Sequence, residues 1–475
     1  MIRVFRKFHN IHFVGIGGTG MSGIAEVLVN MGFQVTGSDL LATEVTEHLK
    51  SLGCQIFQGH DPDNIGQAQV VVYSSAVTPE NVELRAARDK HIPIIPRAEM
   101  LGELMRLKFG IAVAGTHGKT TTTSMAAEIL SAGGLDPTII VGGRLRSMKS
   151  GAKMGLGPVL IAEADEFDRS FLKLFPDVAV ITTLETEHLD CYRDLEDIKD
   201  TFVDFSNKVP FFGSVILCMD EPAIRDIEPR VKRPVVHYGL SISDGLSARN
   251  IQFERENSTF TAYYSGDELG QVQLQVPGIH NVRNSLAAIA VGLEMDIEFP
   301  VIQKALNRFS GVHRRFDIKG EAQGILVVDD YGHHPTEIRA TLEAARQGWN
   351  RRIVAIFQPH LYSRTRDFHK EFGEVFLQAD VLRVMEIYAA RERPIEGVNG
   401  DMVSRAAREA GHPDAGFCPT HQEVLAELEK ICKSGDMVIT FGAGDVGNVA
   451  NEFFKRLGGG NKESSSGIPD WRVPV

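Results

Sequence analysis

No apolar run in this sequence approaches the roughly 18 residues that a membrane-spanning helix needs, so no membrane partner is expected. Its five cysteines, Cys54, Cys191, Cys218, Cys418 and Cys432, stand far apart with no C-x-x-C pair. That spacing predicts reduced, packed side chains in a cytoplasmic protein and no disulfide framework. Positive charge is in deficit: 50 Lys and Arg against 62 Asp and Glu leave a net charge of −12. A binder of nucleic-acid backbone would show the opposite balance, so no nucleic-acid partner is expected, although a local grip could still hold a small anion. The opening "MIRVFRKFHNIHFVGIGG" is basic and then apolar, as a signal peptide would be. A glycine cluster cuts the apolar part short and no small-residue cleavage site follows, so it reads as the start of a domain.

What is present is ordinary globular material, 43% hydrophobic and 24% charged, long enough for roughly two to four domains. Short β-branched runs alternate with helical stretches, which predicts parallel sheets covered by helices. "IHFVGI" (11–16), "FQVTGSD" (33–39) and "QVVVYSSAV" (69–77) read as strands of a first unit, residues 1–107. "FGIAVAG" (109–115), "TIIVGG" (138–143), "PVLIAEAD" (158–165), "VAVITTLE" (178–185) and "SVILCMD" (214–220) belong to a second, residues 108–312. Its stretch 248–277 alternates polar and apolar residues around turn signals and predicts a small antiparallel sheet. A third unit, residues 313–457, carries "ILVVDD" (325–330), "RIVAIFQ" (352–358), "VLRVMEIY" (381–388) and "DMVITFG" (436–442). The Gly/Ser-rich tail 458–475 predicts disorder.

The chemistry centres on "GTHGKTTTTSM" (115–125). The usual P-loop, G-x-x-x-x-G-K-[ST], would need glycine at 113, where Val113 stands. Even so, a strand leads into a Gly-containing turn and a helix starts near Thr120. Backbone N–H groups from Gly115 through Thr116, His117 and Gly118 to Lys119 would cradle phosphate, with the helix N-terminus adding positive potential. Lys119 would meet the outer phosphates, and the Thr120 hydroxyl a magnesium ion. In a parallel sheet, ligands gather beyond the carboxyl ends of strands. Glu163 ends one such strand and is a natural magnesium ligand; His188 follows another and stays open between ligand and surface loop residue. "GIGGTG" (15–20), with Asp39 closing the next strand, fits a nucleotide-diphosphate site. "GAGDVG" (442–447) has the same spacing and reads as a tight structural turn or a minor ligand contact. "DDYGHHPTE" (329–337) reads as a polar loop before a helix that starts at Pro335, with a metal site as the alternative. "PHLYSRTR" (359–366) presents His360, Arg364 and Arg366 for a carboxylate.

Taken together, "GIGGTGMSGIA", "GSD", "SSAV", "PRAEML", "GTHGKTTT", "EADEFD", "EHLD", "HNVRN", "RRF", "DDYGHHPTE", "FQPHLYSRTR" and "GAGD" resemble the Mur ligases, in the family's order over residues 11–445. Mur ligases use this shortened P-loop. The resemblance implies an α/β chain of three domains: a Rossmann-like one for UDP-sugar, a central P-loop ATPase, and a Rossmann-like one for the amino acid. It implies ATP and Mg2+ as cofactors and UDP-N-acetylmuramate, L-alanine and ATP as substrates. The reaction implied is amide formation on the sugar-borne carboxylate through an acyl phosphate, in peptidoglycan precursor synthesis for the cell wall. By motif, Lys119, Glu163, His188 and Arg315 would be catalytic, with Thr120, Glu163 and His188 on magnesium. The P-loop through Thr120 and Thr121, with Asn281, Asn284, Arg315 and Asp330, would hold ATP. Gly17, Gly20, Ser22, Asp39, His60, Ser74, Ser75 and Arg97 would hold UDP-N-acetylmuramate, and His360 and Arg364 the alanine. Two departures stand out: Thr183 where relatives usually carry asparagine, and Leu361 where many carry arginine. A ligase that reattaches recycled peptide shares most of these motifs and is the alternative. An NAD-dependent oxidoreductase built on the first glycine loop would leave the P-loop idle.

Overall fold

The structure, a computed structural model, describes residues 8–142, 151–187, 191–390 and 392–460. His188 and tail residues 461–475 lie outside the described residues. Three sheets follow one another along the chain. The first comprises β1 (Asn10–Val14), β2 (Gln34–Asp39), β3 (Gln55–Gln58), β4 (Val70–Tyr73) and β5 (Ile94–Pro96). They lie in the order β3-β2-β1-β4-β5, all parallel. The order reverses beside β1, so the carboxyl ends of β1 and β4 open a crevice for a ligand.

The second sheet holds β6 (Phe109–Ala114), β7 (Thr138–Ile140), β8 (Ala152–Lys153), β9 (Val159–Glu163), β10 (Val178–Ile181), β11 (Ser214–Cys218), β12 (Val235–Tyr238), β13 (Leu246–Glu254), β14 (Asn257–Tyr264) and β15 (Asp267–Leu274). Its order is β15-β14-β13-β12-β11-β10-β6-β9-β7-β8. The middle strands are buried on both faces, as the continuous apolar runs of β10 and β11 require. The predicted antiparallel portion is β13 to β15. There β14 buries Ser258, Phe260 and Ala262 and turns the intervening residues outward, the period of a half-covered strand. The third sheet contains β16 (Asp317–Ala322), β17 (Ile325–Asp330), β18 (Arg352–Phe357), β19 (Val381–Val384), β20 (Ala415–Phe417) and β21 (Asp436–Phe441), ordered β16-β17-β21-β18-β19-β20. Only β16 runs antiparallel to its neighbour.

The described residues group into two compact units. One holds the first two sheets and runs to Val312, apart from Phe253–Asn257 and Val276–Ile279; the other begins at His313. Among the described residues no helix is long and apolar enough to cross a membrane.

Candidate functional site

The first unit builds its site around β6. This strand lies between β9 and β10 in the sheet, so whatever follows those two strands must flank the loop that follows β6. That loop, Gly115–Gly118, leads into the helix Lys119–Ala132. Gly115 (φ +131°) and Gly118 (φ +84°) sit where L side chains are strained. A Cβ at Gly115 would also lie 2.2 Å from Thr182 Oγ1, and one at Gly118 2.6 Å from Asn284 Oδ1. The exit of β10 braces the loop from one side. Thr116 N–H donates to Thr183 O at 3.0 Å and His117 N–H to Thr183 Oγ1 at 2.7 Å. Glu185 N–H donates to Thr116 Oγ1 at 3.0 Å. The departure at Thr183 therefore puts a short hydroxyl against the loop backbone.

The exit of β9 supplies acid on the other side. Glu163 closes the strand, and both the Thr120 hydroxyl and the Gly142 N–H bond its carboxylate. Its Oε1 is buried with no hydrogen-bond partner among the described residues. Burial raises its pKa, against Gly142, Lys119 and Thr120. An orphaned carboxylate oxygen beside a hydroxyl is a donor set that fits a hard divalent cation.

Three residues on stands a group that the motif reading passed over. Lys119 Nζ donates to both oxygens of Glu166, at 2.8 and 2.9 Å, and to the carbonyls of Gly115 and Thr116, at 2.6 and 3.2 Å. Glu166 is 3% exposed. Burial first, then Asp165 and Glu187, push its carboxyl up to about 7 although Lys119 pulls it down. Burial alone would lower the Lys119 pKa, but Glu166 and Asp165 raise it above the ordinary value, so the amine stays charged. The chain holds Glu166 there by an unusual path: Asp168 and Arg169 both adopt left-handed backbone, φ 48° and 60°. Arg169 N–H returns to Glu166 O, its guanidinium pairs with Asp197 at 2.6 Å, and Tyr192 Oη donates to Glu166 O at 2.6 Å. Phe171 anchors the turn, stacking on Phe205 at 4.6 Å and meeting Phe202 edge-on at 5.0 Å.

Asn281 and Asn284 lie one turn apart on the helix Ile279–Glu294, both nearly buried, with Asn284 Nδ2 donating to Asn281 Oδ1 at 3.3 Å. Asn284 Oδ1 lies against Gly118 of the P-loop.

In the first sheet, the loop after β1 carries Gly17, whose N–H donates to Asp39 Oδ2 at 2.8 Å. A Cβ at Gly17 would lie 2.9 Å from that oxygen, and one at Gly20 2.8 Å from the Arg97 guanidinium. Ser22 follows in the helix Thr19–Asn30, Ser74 and Ser75 follow β4, and His60 follows β3. These residues share the carboxyl edge of one sheet. Arg97 opens the helix after β5 and pairs with Asp165 at 3.3 Å. A cavity of about 130 Å³ is lined there by Ser75, Arg97, Asp165 and Arg169, among others. The exit of β9 therefore borders both the P-loop and the Arg97 edge.

In the second unit, Arg315 pairs with Glu337 at 2.9 Å, and the Glu337 and Asp330 carboxylates hold it charged despite burial. Asp330 ends β17 and accepts N–H groups from Phe316 and Gly332 at 2.8 and 2.7 Å; burial pushes it up to about 6. Asp329 is taken by Arg314 and Thr440, and His334 caps the helix Pro335–Gly348, which favours the polar-loop reading of "DDYGHHPTE". The second glycine turn is packed closely: Arg314 donates to the carbonyls of Gly442 and Gly444, and a Cβ at Gly442 would lie 2.7 Å from Gln358 O. His360 stacks on Tyr388 at 5.9 Å. Arg364 sits in the first turn of the helix Tyr362–Val375, whose N-cap, Leu361, has φ 72° and ψ 137°.

Three sequence families match in order. Residues 10–109 match the Mur ligase family, catalytic domain; 113–292 the Mur ligase middle domain; and 314–444 the Mur ligase, glutamate ligase domain. The UDP-N-acetylmuramate–L-alanine ligase of Geotalea daltonii is 51% identical over 96% of this chain and 99% of its own length. That of Syntrophotalea carbinolica is 52% identical over 94% and 97%. Among solved structures, the UDP-N-acetylmuramate-alanine ligase MurC of Thermotoga maritima superposes with TM-score 0.79 at 31% identity, covering 94% of this chain and 98% of that one. A murein peptide ligase of Psychrobacter arcticus shares the fold, with TM-score 0.70 at 24% identity over 95% and 99%.

Proposed function

The chain belongs to the Mur ligase family, and on that footing we propose that it joins L-alanine to the carboxylate of UDP-N-acetylmuramate at the expense of ATP. The observation that carries this reading is the junction at the exit of β9. One short acidic segment there touches the P-loop through Glu163 and Glu166, and the Arg97 edge through Asp165. A phosphoryl donor and a sugar-borne acid held at those two sites would be neighbours. The curated relatives named above, both alanine ligases at about half identity, favour alanine over a recycled peptide.

A carboxylate resists attack by an amine because the attack adds charge to an anion. Phosphorylation of the sugar carboxylate removes that barrier. The alanine nitrogen then adds to the acyl carbon, and the tetrahedral intermediate expels phosphate. The chain's part is alignment and charge. Lys119 is assigned to the outer phosphates, which requires it to exchange Glu166 for phosphate oxygen. Loop N–H groups from Gly115 to Lys119 cradle the chain of phosphates, helped by Thr116, His117, Thr120 and Thr121. Thr120 and Glu163 would hold a magnesium ion, with His188 assigned to a second. Bound magnesium would neutralise charge on the transferring group. Asn281 and Asn284 are assigned to adenine, Arg315 to phosphate and Asp330 to ribose. Gly17, Gly20, Ser22, Asp39, His60, Ser74, Ser75 and Arg97 are assigned to the UDP-sugar, and His360 and Arg364 to alanine. The domain partition 1–107, 108–312 and 313–457, and a cytoplasmic location, belong to the same reading.

Phosphate release from ATP tests it. Release is expected only when UDP-N-acetylmuramate and L-alanine are both present. Release supported by L-alanyl-γ-D-glutamyl-meso-diaminopimelate but not by alanine would transfer the chain to the recycling reaction.

A further inference from the structure

Beneath the first glycine loop lies a buried carboxylate that no motif includes. Glu83, in the first turn of the helix Val82–Asp89, is fully buried, and both of its carboxylate oxygens meet polar partners. Ser38 Oγ donates to its Oε2 at 2.5 Å and Asn64 Nδ2 to its Oε1 at 2.7 Å. His60 Nδ1 stands 3.3 Å from Oε2, Asp61 N–H donates to Oε1 at 3.3 Å, and His12 Nε2 lies 3.6 Å away. Burial works against this charge, but the nearby His12 ring and the bonds from Ser38 and Asn64 outweigh it and bring the carboxyl down to about 2. Ser38 Oγ, Asn64 Nδ2 and Asp61 N–H all point their protons at the Glu83 carboxylate, which serves as the acceptor of the cluster.

That fixes the direction of the neighbouring bonds. The Ser38 proton is committed to Glu83, so the 3.0 Å contact between Ser38 Oγ and His60 Nδ1 needs its proton from the ring. Nδ1 of His60 carries hydrogen, and Nε2 is the ring atom left outside the network. Ser38 and Glu83 meet the same ring nitrogen, so this is no nucleophile relay; it is a clamp on ring orientation. Ser38 immediately precedes Asp39, whose carboxylate holds the glycine loop at Gly17, and Gly59 N–H donates to Asp39 O at 2.7 Å. The clamp thus sits under the two side chains assigned to the nucleotide.

We propose that Glu83 is a positioning residue for the UDP-sugar site, acting through Ser38 and His60 to fix which ring nitrogen of His60 is offered to the uridine diphosphate half of the substrate. The inference rests on the proposed function for the identity of that ligand. It predicts coupling: Glu83 matters to the ligand only while His60 is there.

Calorimetric titration with UDP-N-acetylmuramate, and with UDP alone, in the absence of ATP tests the clamp without needing turnover. Should the wild-type chain bind neither, the functional reading fails before the clamp is tried. With binding established, Glu83→Gln is expected to weaken both ligands about tenfold and leave the KM for ATP unchanged. In a His60→Ala background the same change is expected to cost less than twofold. Nitrogen-15 spectra should place the His60 proton on Nδ1 in the wild type and lose that preference in Glu83→Gln. Ser38→Ala, a milder change, should shift affinity in the same direction and be equally silent without His60. An equal loss in both backgrounds, or lower thermal stability with unchanged affinity, would reduce Glu83 to a fold-stabilising residue and overturn the proposal.

Discussion

Replacing Lys119 by methionine keeps the side-chain length and deletes the charge, leaving Glu166 buried without its cation. The cost has two parts that pH separates. Lys119 donates to Gly115 O, Thr116 O and Glu166, and bonds from a charged donor contribute about 1.5–3 kcal/mol each in the best geometry. Part of that returns as water reaches the loop, so about 2 kcal/mol should be lost at pH 6, where both proteins keep Glu166 protonated. The second part comes from ionisation. The Glu166 carboxyl is raised from 4.5 to about 7 in the folded wild type. The stability this group contributes is complete below its unfolded value and is lost as pH rises through the folded one. The wild type stops losing near pH 7, because the anion is then met by Lys119. The variant has no cation and goes on losing about 1.4 kcal/mol for each further pH unit. By pH 8 the deficit should be about 3–4 kcal/mol, in line with the cost of breaking a buried pair from one side. Urea unfolding followed by circular dichroism from pH 6 to 8.5 reads the difference directly. Adding Glu166→Gln should flatten the pH dependence without restoring phosphate release. A deficit independent of pH, or normal turnover in Lys119→Met, would refute the reasoning.

Glu163→Ala should abolish the magnesium dependence of ATP binding, measured by calorimetry with and without the metal, while leaving thermal stability unchanged or higher, since a buried orphan oxygen goes with it. Acid should unfold the protein partly through Glu83: its pKa is depressed from 4.5 to about 2, so its contribution is present above 4.5 and lost as pH falls towards 2. Acid titrations of Glu83→Gln should lack that component. Phe171→Ala should cost about 3–5 kcal/mol in urea unfolding by emptying an aromatic site, and should lower turnover by freeing the Glu166 turn. His360→Ala should raise the KM for L-alanine about tenfold with the KM for ATP unchanged.

The sequence announces what repeats a physical rule and hides what depends on meeting at a distance. The central strands were legible because β10, β11, β17 and β21 are built around apolar runs and are buried along their whole length. Marginal strands went unread. β3, with "QIFQ", is half-exposed at a sheet edge; β16, with "DIKGEA", carries charges and Gly320 at φ 154°. Neither presents an apolar period. The first helix begins at Thr19, ahead of the apolar pattern that opens at Met21, because the glycine turn closes sooner than that pattern starts. At the site, Lys119, Thr120 and Glu163 follow from motif spacing and Asn281 and Asn284 from the family resemblance; Lys119, Thr120, Glu163 and Asn284 lie around the P-loop. Glu166 was written in "EADEFD" beside Glu163. The left-handed pair Asp168 and Arg169, and the aromatic anchor Phe171 just after them, bring it to Lys119. Nothing local in the sequence signals two such residues in succession. Glu83 was hidden for a similar reason: its partners come from three separate stretches, at His12, at Ser38 and at 60–64, and a lone glutamate in a helix reads as surface.

The account turns on activation of the sugar carboxylate by phosphoryl transfer, and oxygen labelling follows that atom. UDP-N-acetylmuramate carrying oxygen-18 in its carboxylate should deliver one labelled oxygen to each phosphate released as alanine is joined. Amide product accompanied by unlabelled phosphate would show that the carboxylate never carried the phosphoryl group, and the mechanism assigned to this P-loop would fall.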